Sequence, residues 1–181
     1  MQFNLSPKAS TDTFSNLGLL HPLLIGNEFM PPPIQLSEEA QNDYEIICKY
    51  AIRQGWIQWV DFKNHLKKSE NAVVITDAKQ IIRFASAGFT VMTGYSTEFA
   101  RGKKPKFLQG KKTEINVRAA IREAIEKRQT IEAVLTNYRK NGESYLCRVK
   151  IFPMFNKAYE LVNFLALEDE VFEEEDELTS H

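Results

Sequence analysis

The sequence predicts an α+β fold, in which a five-stranded antiparallel sheet carries short helices and one longer helix on one face and is preceded by N-terminal helices. Residues 72–77 and 81–84 are apolar segments separated by a short turn, a pattern typical of a β-hairpin. Residues 115–128 repeat apolar side chains at helical spacing. Asn141-Gly142, a strong hairpin signal, lies between two further strand segments.

Two segments precede the main domain. Residues 1–35 are predicted to form an irregular arm, because a short apolar patch is surrounded by Ser, Thr, Asn and Pro, and three consecutive prolines favour an extended backbone. Residues 36–69 form a helical extension, in which Ser37 can cap a first helix and Trp56 and Trp59 belong to a second amphipathic helix. An apolar helix face outside a domain needs a partner surface. The two tryptophans therefore either form a dimer contact or pack on the chain's own sheet.

The main domain is predicted at residues 70–169, followed by an acidic tail at 170–181. Runs of Glu and Asp of this kind are usually solvated. After the first hairpin, helical and extended patterns alternate, with short helical turns at 85–95, the longer helix at 115–128 and strands at 132–139, 143–153 and 161–167.

Composition excludes several classes of function. The formal net charge is −1, so the chain as a whole gives no electrostatic reason to expect binding to nucleic acid or to an anionic membrane. Cys48 and Cys147 lack the spacing of a disulfide framework or a zinc site, and no apolar run approaches a membrane span. We therefore expect a cytoplasmic protein without a metal. All three histidines fall outside the main domain and no glycine-rich phosphate loop is present, so we expect no enzymatic activity.

The order of elements resembles the PAS fold, and local motifs resemble its light-oxygen-voltage (LOV) branch of blue-light receptors. Residues 102–110, Gly-Lys-Lys-Pro-Lys-Phe-Leu-Gln-Gly, are similar to the LOV signature G-x-N-C-R-F-L-Q-G. Further matches are spread over the main domain and comprise Val74-Ile-Thr-Asp77, Phe84-Ala-Ser86, Phe89, Thr93-Gly-Tyr95, Ile121-Arg-Glu-Ala-Ile125, Asn137-Tyr-x-Lys-x-Gly142 and Pro153-Met154.

Two residues of the LOV signature are replaced in this chain. Lys104 and Pro105 stand where the family carries an asparagine and its reactive cysteine. Because proline has no nucleophilic side chain, the resemblance implies that no cysteinyl-flavin adduct forms at this position.

The LOV branch binds flavin mononucleotide (FMN), and part of its contact set is retained. By resemblance, Lys106 and Arg122 occupy the positions of two phosphate-binding cations, although a lysine lacks the planar fork of an arginine. Gln109 and Asn137 match two amides that contact the flavin.

The remaining ring contacts differ from the family. Cys147 stands at the position of a second ring-binding asparagine, and Glu168 at that of a glutamine whose amide flips. An ionised carboxylate cannot exchange donor and acceptor roles as an amide does. Each lost buried hydrogen bond costs about 1 kcal/mol. We therefore expect no tightly bound cofactor, with FMN as the alternative.

Basic residues cluster around the predicted cofactor mouth, namely Arg101, Lys103, Lys104, Lys106, Lys111 and Lys112. An acidic tail, from this chain or from a partner, could dock there through several weak ion pairs. A phosphate-bearing ligand or a nucleic acid is an alternative, although the sequence of the cluster lacks interleaved aromatic residues for base stacking.

These observations predict a non-enzymatic PAS module that acts in signal transduction by forming a homodimer or by binding a signalling protein. The alternative is a sensor that binds flavin or another small ligand and works without an adduct. A small flavoenzyme is the third hypothesis, and nothing in the sequence supplies a substrate-side acid or base for it.

Overall fold

The structure is a computed structural model that describes residues 34–172. The predicted N-terminal arm at 1–35 lies almost entirely outside these residues, as does most of the predicted acidic tail. Within them, helix α1 (Glu38–Gln54) begins as predicted, because the Ser37 side chain accepts a hydrogen bond from the Ala40 backbone N–H at 3.2 Å.

The sheet has five antiparallel strands in the spatial order β2-β1-β5-β4-β3, which confirms the predicted fold class. The strands are β1 (Ala72–Asp77), β2 (Ile82–Ala85), β3 (Ile131–Tyr138), β4 (Ser144–Phe155) and β5 (Leu161–Val171). The predicted turn at Asn141-Gly142 joins β3 to β4, and Gly142 adopts a φ of 88°, a left-handed conformation that glycine adopts without strain.

Both faces of the sheet are covered. One face packs under the remaining helices, α2 (Ala87–Thr93), α3 (Thr97–Ala100) and α4 (Ile115–Glu126), around a core that includes Val74, Phe89 and Leu108. The other face packs against α1 and the segment that follows it, with Ile47, Phe62 and Leu165 buried between them. The side chains of a strand alternate between two faces, so each strand contributes to both cores.

The prediction of a second N-terminal helix is wrong. Residues 56–64 are irregular, and a single turn of 3-10 helix follows at His65–Lys67. Two hydrogen-bonding groups at the start of this segment bind the sheet. The Trp56 indole donates to Asn163 Oδ1 at 3.0 Å, and the Ile57 backbone N–H donates to the Phe155 carbonyl at 3.0 Å. Trp56 thus packs on the chain's own sheet, whereas Trp59 is 58% exposed.

Strand β5 continues past the domain end predicted at residue 169. Glu168 is buried, and Asp169 and Glu170 form ion pairs with Arg148 and Arg139, each with a closest N–O distance of 2.6 Å. Glu170, which the sequence analysis placed in the acidic tail, therefore belongs to the sheet.

Candidate functional site

A cavity of about 430 Å³ lies between the sheet, helix α4 and the 3-10 turn at Pro105–Leu108. Its apolar lining includes Val74, Leu108, Ile121, Leu135 and Val149. Ligand sites in proteins commonly have volumes of roughly 300–1,000 Å³, apolar walls and a few convergent polar groups. The size and composition of this cavity fit that description.

The cavity brings together all six residues predicted as cofactor contacts, namely Lys106, Gln109, Arg122, Asn137, Cys147 and Glu168. Lys104 and Pro105 also line it, with Pro105 at the start of the 3-10 turn. Trp56 and Trp59 do not line it. They belong to the opposite side of the sheet, near α1.

The inner, sheet side of the cavity is polar at two places. Asn137 and Glu168 are buried, with 6% exposure each, and Asn137 Oδ1 and Glu168 Oε2 have no hydrogen-bond partner among residues 34–172. A buried polar atom without a partner costs roughly 1–3 kcal/mol. Two such atoms facing one cavity are complementary to a ligand with polar groups at its inner end.

The burial of Glu168 changes its ionisation. Desolvation raises the pKa of this carboxyl from 4.5 to about 7, because the charged form loses its hydration. Below that pH the protonated group can both donate and accept a hydrogen bond. The loss of donor–acceptor exchange expected for an ionised carboxylate at this position therefore applies only above about pH 7.

Cys147 lies on β4 and is fully buried. Burial is the largest cause that raises the pKa of its thiol well above the usual value, and the nearby Glu168 carboxyl raises it further. A thiol held in this protonated form is a weak nucleophile. Cys147 therefore serves the cavity as a small, mostly apolar wall residue.

The mouth of the cavity carries four cations, Lys104, Lys106, Arg118 and Arg122. Within residues 34–172 none of the four forms an ion pair. Arg118 was missed at the level of sequence. The signal that could have identified it is its position in α4, four residues before Arg122, because that spacing places both side chains on one face of a helix.

Aromatic side chains lie beside this basic segment, which the sequence alone did not indicate. Tyr95 and Phe99 stack with ring centroids 4.9 Å apart, and Phe107 meets both rings edge-on. Lys103 Nζ lies 4.4 Å from the Phe99 centroid, within cation–π range. The surface next to the mouth is therefore both aromatic and cationic.

Comparison with known proteins gives the family. A PAS domain family model matches residues 70–171, which is more than half of the chain. The chain belongs to the PAS domain family. The match extends to Val171, the residue at which β5 ends.

The relatives of this PAS domain confirm the predicted LOV-like branch. It is 37% identical over 114 residues to a blue-light photoreceptor of Listeria monocytogenes, covering 61% of this chain and 45% of the relative. It is 36% identical to the protein TWIN LOV 1 of Arabidopsis thaliana, covering 61% of this chain and 28% of that protein. The chain thus spans less than half the length of these two curated relatives.

Solved LOV structures share the fold of this PAS domain. The light-state structure of the LOV domain of the blue-light photoreceptor Aureochrome1 aligns with a TM-score of 0.56 at 29% identity, over 64% of this chain and 91% of that one. A LOV domain studied with a flavin analogue aligns with a TM-score of 0.58 at 28% identity, over 63% of this chain and 87% of that one. That Pro105 stands in place of the reactive cysteine stays a prediction.

Neither a metal site nor a membrane span is found among the described residues. Residues 34–172 contain no cluster of His, Cys, Asp and Glu suited to a metal ion. In the same part of the chain, no helix is long and apolar enough to cross a bilayer.

The ionisation of Glu168 predicts a distinct dependence of stability on pH. Between about pH 4.5 and about pH 7 the unfolded chain releases the Glu168 proton while the folded protein keeps it, so stability falls as pH rises. We expect wild type to lose about 2–3 kcal/mol of unfolding free energy across this window relative to Glu168→Gln, which cannot ionise. Urea denaturation at several pH values measures this difference. The same change at the exposed Glu126 is the control, and identical pH profiles for wild type and Glu168→Gln would contradict the assignment.

Proposed function

We propose that this chain is a non-enzymatic sensory PAS module whose cavity binds an anionic ligand of the FMN type without forming a covalent bond to it. The observation that carries this proposal is the polarity of the cavity, with unpaired buried polar atoms at the inner end and four cations at the mouth. Bound FMN would supply light absorption and redox chemistry to the module.

The mouth of the cavity suits a phosphate group. Arg122 and Lys106 are exposed, and Arg118 is half-buried, so the three can approach an anion from the solvent side. Arginine binds phosphate oxygens through two parallel N–H groups, and lysine contributes a point charge. These side chains would orient a phosphorylated ligand with its ring system directed inward.

The inner end suits the polar edge of a ring. Asn137 offers an amide, and protonated Glu168 offers one donor together with acceptor oxygens. The apolar walls, among them Leu135 and Val149, would exclude water from the ring faces. Glu168 would hold its own proton toward the ligand below about pH 7, and its charge above that pH would disfavour binding.

A mechanism without an adduct follows from the side chains of the wall. Pro105, on the cavity wall, carries no thiol, and Cys147 is held as a thiol by burial. Cys147 and Glu168 both line the cavity, and burial raises the pKa of both groups. A thiol and a carboxyl that stay protonated do not form an activated nucleophile and base, which supports a sensory role over an enzymatic one. Its blue-light-photoreceptor relatives support signal transduction as the process.

Self-association is a second candidate function, favoured by an apolar surface near the end of α1. Ile52 is 79% exposed, and Trp59 packs its ring against Phe62 while leaving its outer side in solvent. A groove between Trp59 and the residues Phe152 and Leu167 lies beside it. Large exposed apolar patches often mark protein interfaces, and a second copy of the chain could cover this one.

The proposed ligand site predicts that wild type retains FMN. After incubation with FMN and desalting, we expect a structured blue absorption band, as for a flavin held rigidly by the protein. Asn137→Leu should weaken binding about tenfold, because one buried hydrogen bond is lost. Asn116→Leu, an exposed change on α4, is the matched control. A colourless wild-type protein after this treatment would reject the FMN proposal.

A second prediction tests the position of Pro105. With FMN bound, Pro105→Cys should place a thiol on the cavity wall and allow blue light to bleach the flavin band reversibly. Pro105→Ser, which supplies a hydroxyl instead of a thiol, should not bleach. If the cysteine variant binds FMN and shows no light-induced bleaching, Pro105 does not occupy the adduct-forming position.

The dimer candidate is tested by sedimentation. Trp59→Ala should shift a monomer–dimer equilibrium toward monomer by about tenfold or more, because a central aromatic contributes strongly to an interface. Tyr159→Ala, which removes another exposed aromatic ring, is the control. Equal sedimentation of wild type and Trp59→Ala would show that this surface is not the interface.

A further inference from the structure

We propose that the acidic tail of this chain, residues 173–177, docks in cis on the cations around the cavity mouth and competes there with the phosphate of a ligand. We call this surface the basic rim, defined as Lys104, Lys106, Lys111, Lys112, Arg118 and Arg122. Docking of the tail is independent of the proposed function, whereas the competition rests on it.

The basic rim has charges available for a partner. Within residues 34–172 none of its six cations forms an ion pair. Glu114 is the only carboxylate in the sequence between residues 104 and 122, and it is already engaged. Its oxygens accept hydrogen bonds from the Thr136 backbone N–H at 2.9 Å and from the Thr136 hydroxyl at 2.8 Å. Among residues 34–172, the six rim cations are therefore left without an ion-pair partner.

The tail carries the complementary charge. Residues 173–177 read Glu-Glu-Glu-Asp-Glu, five consecutive carboxylates with no cation among them. They follow directly on Phe172, whose side chain is 82% exposed at the end of the described residues. Five adjacent carboxylates repel one another unless cations lie nearby, so a cationic surface within reach is favourable.

The topology of the sheet places the end of β5 close to the rim. Val171 pairs with Leu146, and antiparallel β4 leads from there back to Ser144, whose hydroxyl oxygen lies 3.4 Å from Lys112 Nζ. Strands lie about 4.8 Å apart and rise about 3.3 Å per residue, so Ser144 is roughly 8 Å from Val171. A tail of six extended residues spans roughly 20 Å. It can therefore reach Lys112 and Lys111, the part of the rim that lies next to Ser144.

The docking site overlaps the phosphate site. Lys106, Arg118 and Arg122 line the cavity and belong to the rim, so one set of cations would serve the tail and the ligand alternately. Exposed ion pairs contribute little individually, and salt screens them strongly. We therefore expect the tail to weaken binding of an anionic ligand about three- to tenfold at low ionic strength and to have no effect in about 0.5 M salt.

Zero-length carbodiimide cross-linking of the full chain tests the docking directly, because it joins a carboxylate to a lysine in contact with it. We expect cross-links from residues 173–177 to Lys104, Lys106, Lys111 or Lys112, and their loss in Lys111→Glu/Lys112→Glu. Lys49→Glu/Lys157→Glu, which changes two exposed lysines elsewhere, should keep them. A mixture of isotopically light and heavy protein distinguishes contacts within one chain from contacts between chains. Mixed-isotope products alone, or tail cross-links confined to lysines outside the rim, would overturn the proposal.

A ligand measurement separates the competition from the proposed function. A variant with residues 173–177 changed to Gln-Gln-Gln-Asn-Gln should bind FMN three- to tenfold more tightly than wild type at low salt. Glu38→Gln/Glu39→Gln/Glu45→Gln, in helix α1, should bind as wild type does. Equal FMN affinity for wild type and the tail variant would overturn the competition. Rim cross-links in a protein that fails to bind FMN would confirm the docking and reject only the proposed ligand.

Discussion

The structure depends on the burial of strand β5 on both faces. β5 is the central strand, paired with β1 on one side and β4 on the other. Its alternating side chains send Ala166 and Glu168 toward the ligand cavity and Leu165 and Leu167 toward the core under α1. His65 adds a direct link, because its Nε2 lies 3.0 Å from the Glu168 carbonyl and 3.2 Å from the Ala72 carbonyl. The side chain of Glu168 thus faces the cavity, while its backbone carbonyl contacts His65 of the N-terminal extension.

Polar contacts also attach the N-terminal extension to the rest of the domain. Asp43 on α1 accepts a hydrogen bond from the Ala87 backbone N–H at 2.7 Å, and Trp56 binds Asn163 on β5. The extension is therefore held to α2 and to the sheet by polar contacts as well as by its apolar core. A change in the hydrogen bonding or charge of Glu168 acts on a strand that carries both the cavity and the extension. The exposed surface around Trp59 lies on that extension, so β5 connects the cavity to the surface proposed for self-association.

The electrostatics of the cavity follow from the difference in solvation between its two ends. At the buried end a charge is costly, so the Glu168 carboxyl stays protonated to about pH 7. At the exposed mouth, the positive charges of Lys106 and Arg122 face solvent and attract anions. A ligand with a neutral polar ring and an anionic tail is complementary to both ends. The proposed docking of the acidic tail uses the same cations, and ion pairs of this kind weaken as ionic strength rises.

The sequence by itself determined the features that neighbouring residues encode. Ser37 caps α1, Asn141-Gly142 forms the β3–β4 turn, and the Phe107-Leu108-Gln109 motif identifies the LOV-like cavity, because each signal is complete within a few residues. The tertiary structure decided those features that depend on contacts between residues distant in the chain. Trp56 bonds to Asn163, 107 residues away, which replaced the predicted second helix by an irregular segment. The pKa of Glu168 is raised by burial, and burial arises only when separate strands and helices pack together and exclude solvent. Likewise, Arg118 and Lys106 line the same cavity only once α4 packs near the 3-10 turn.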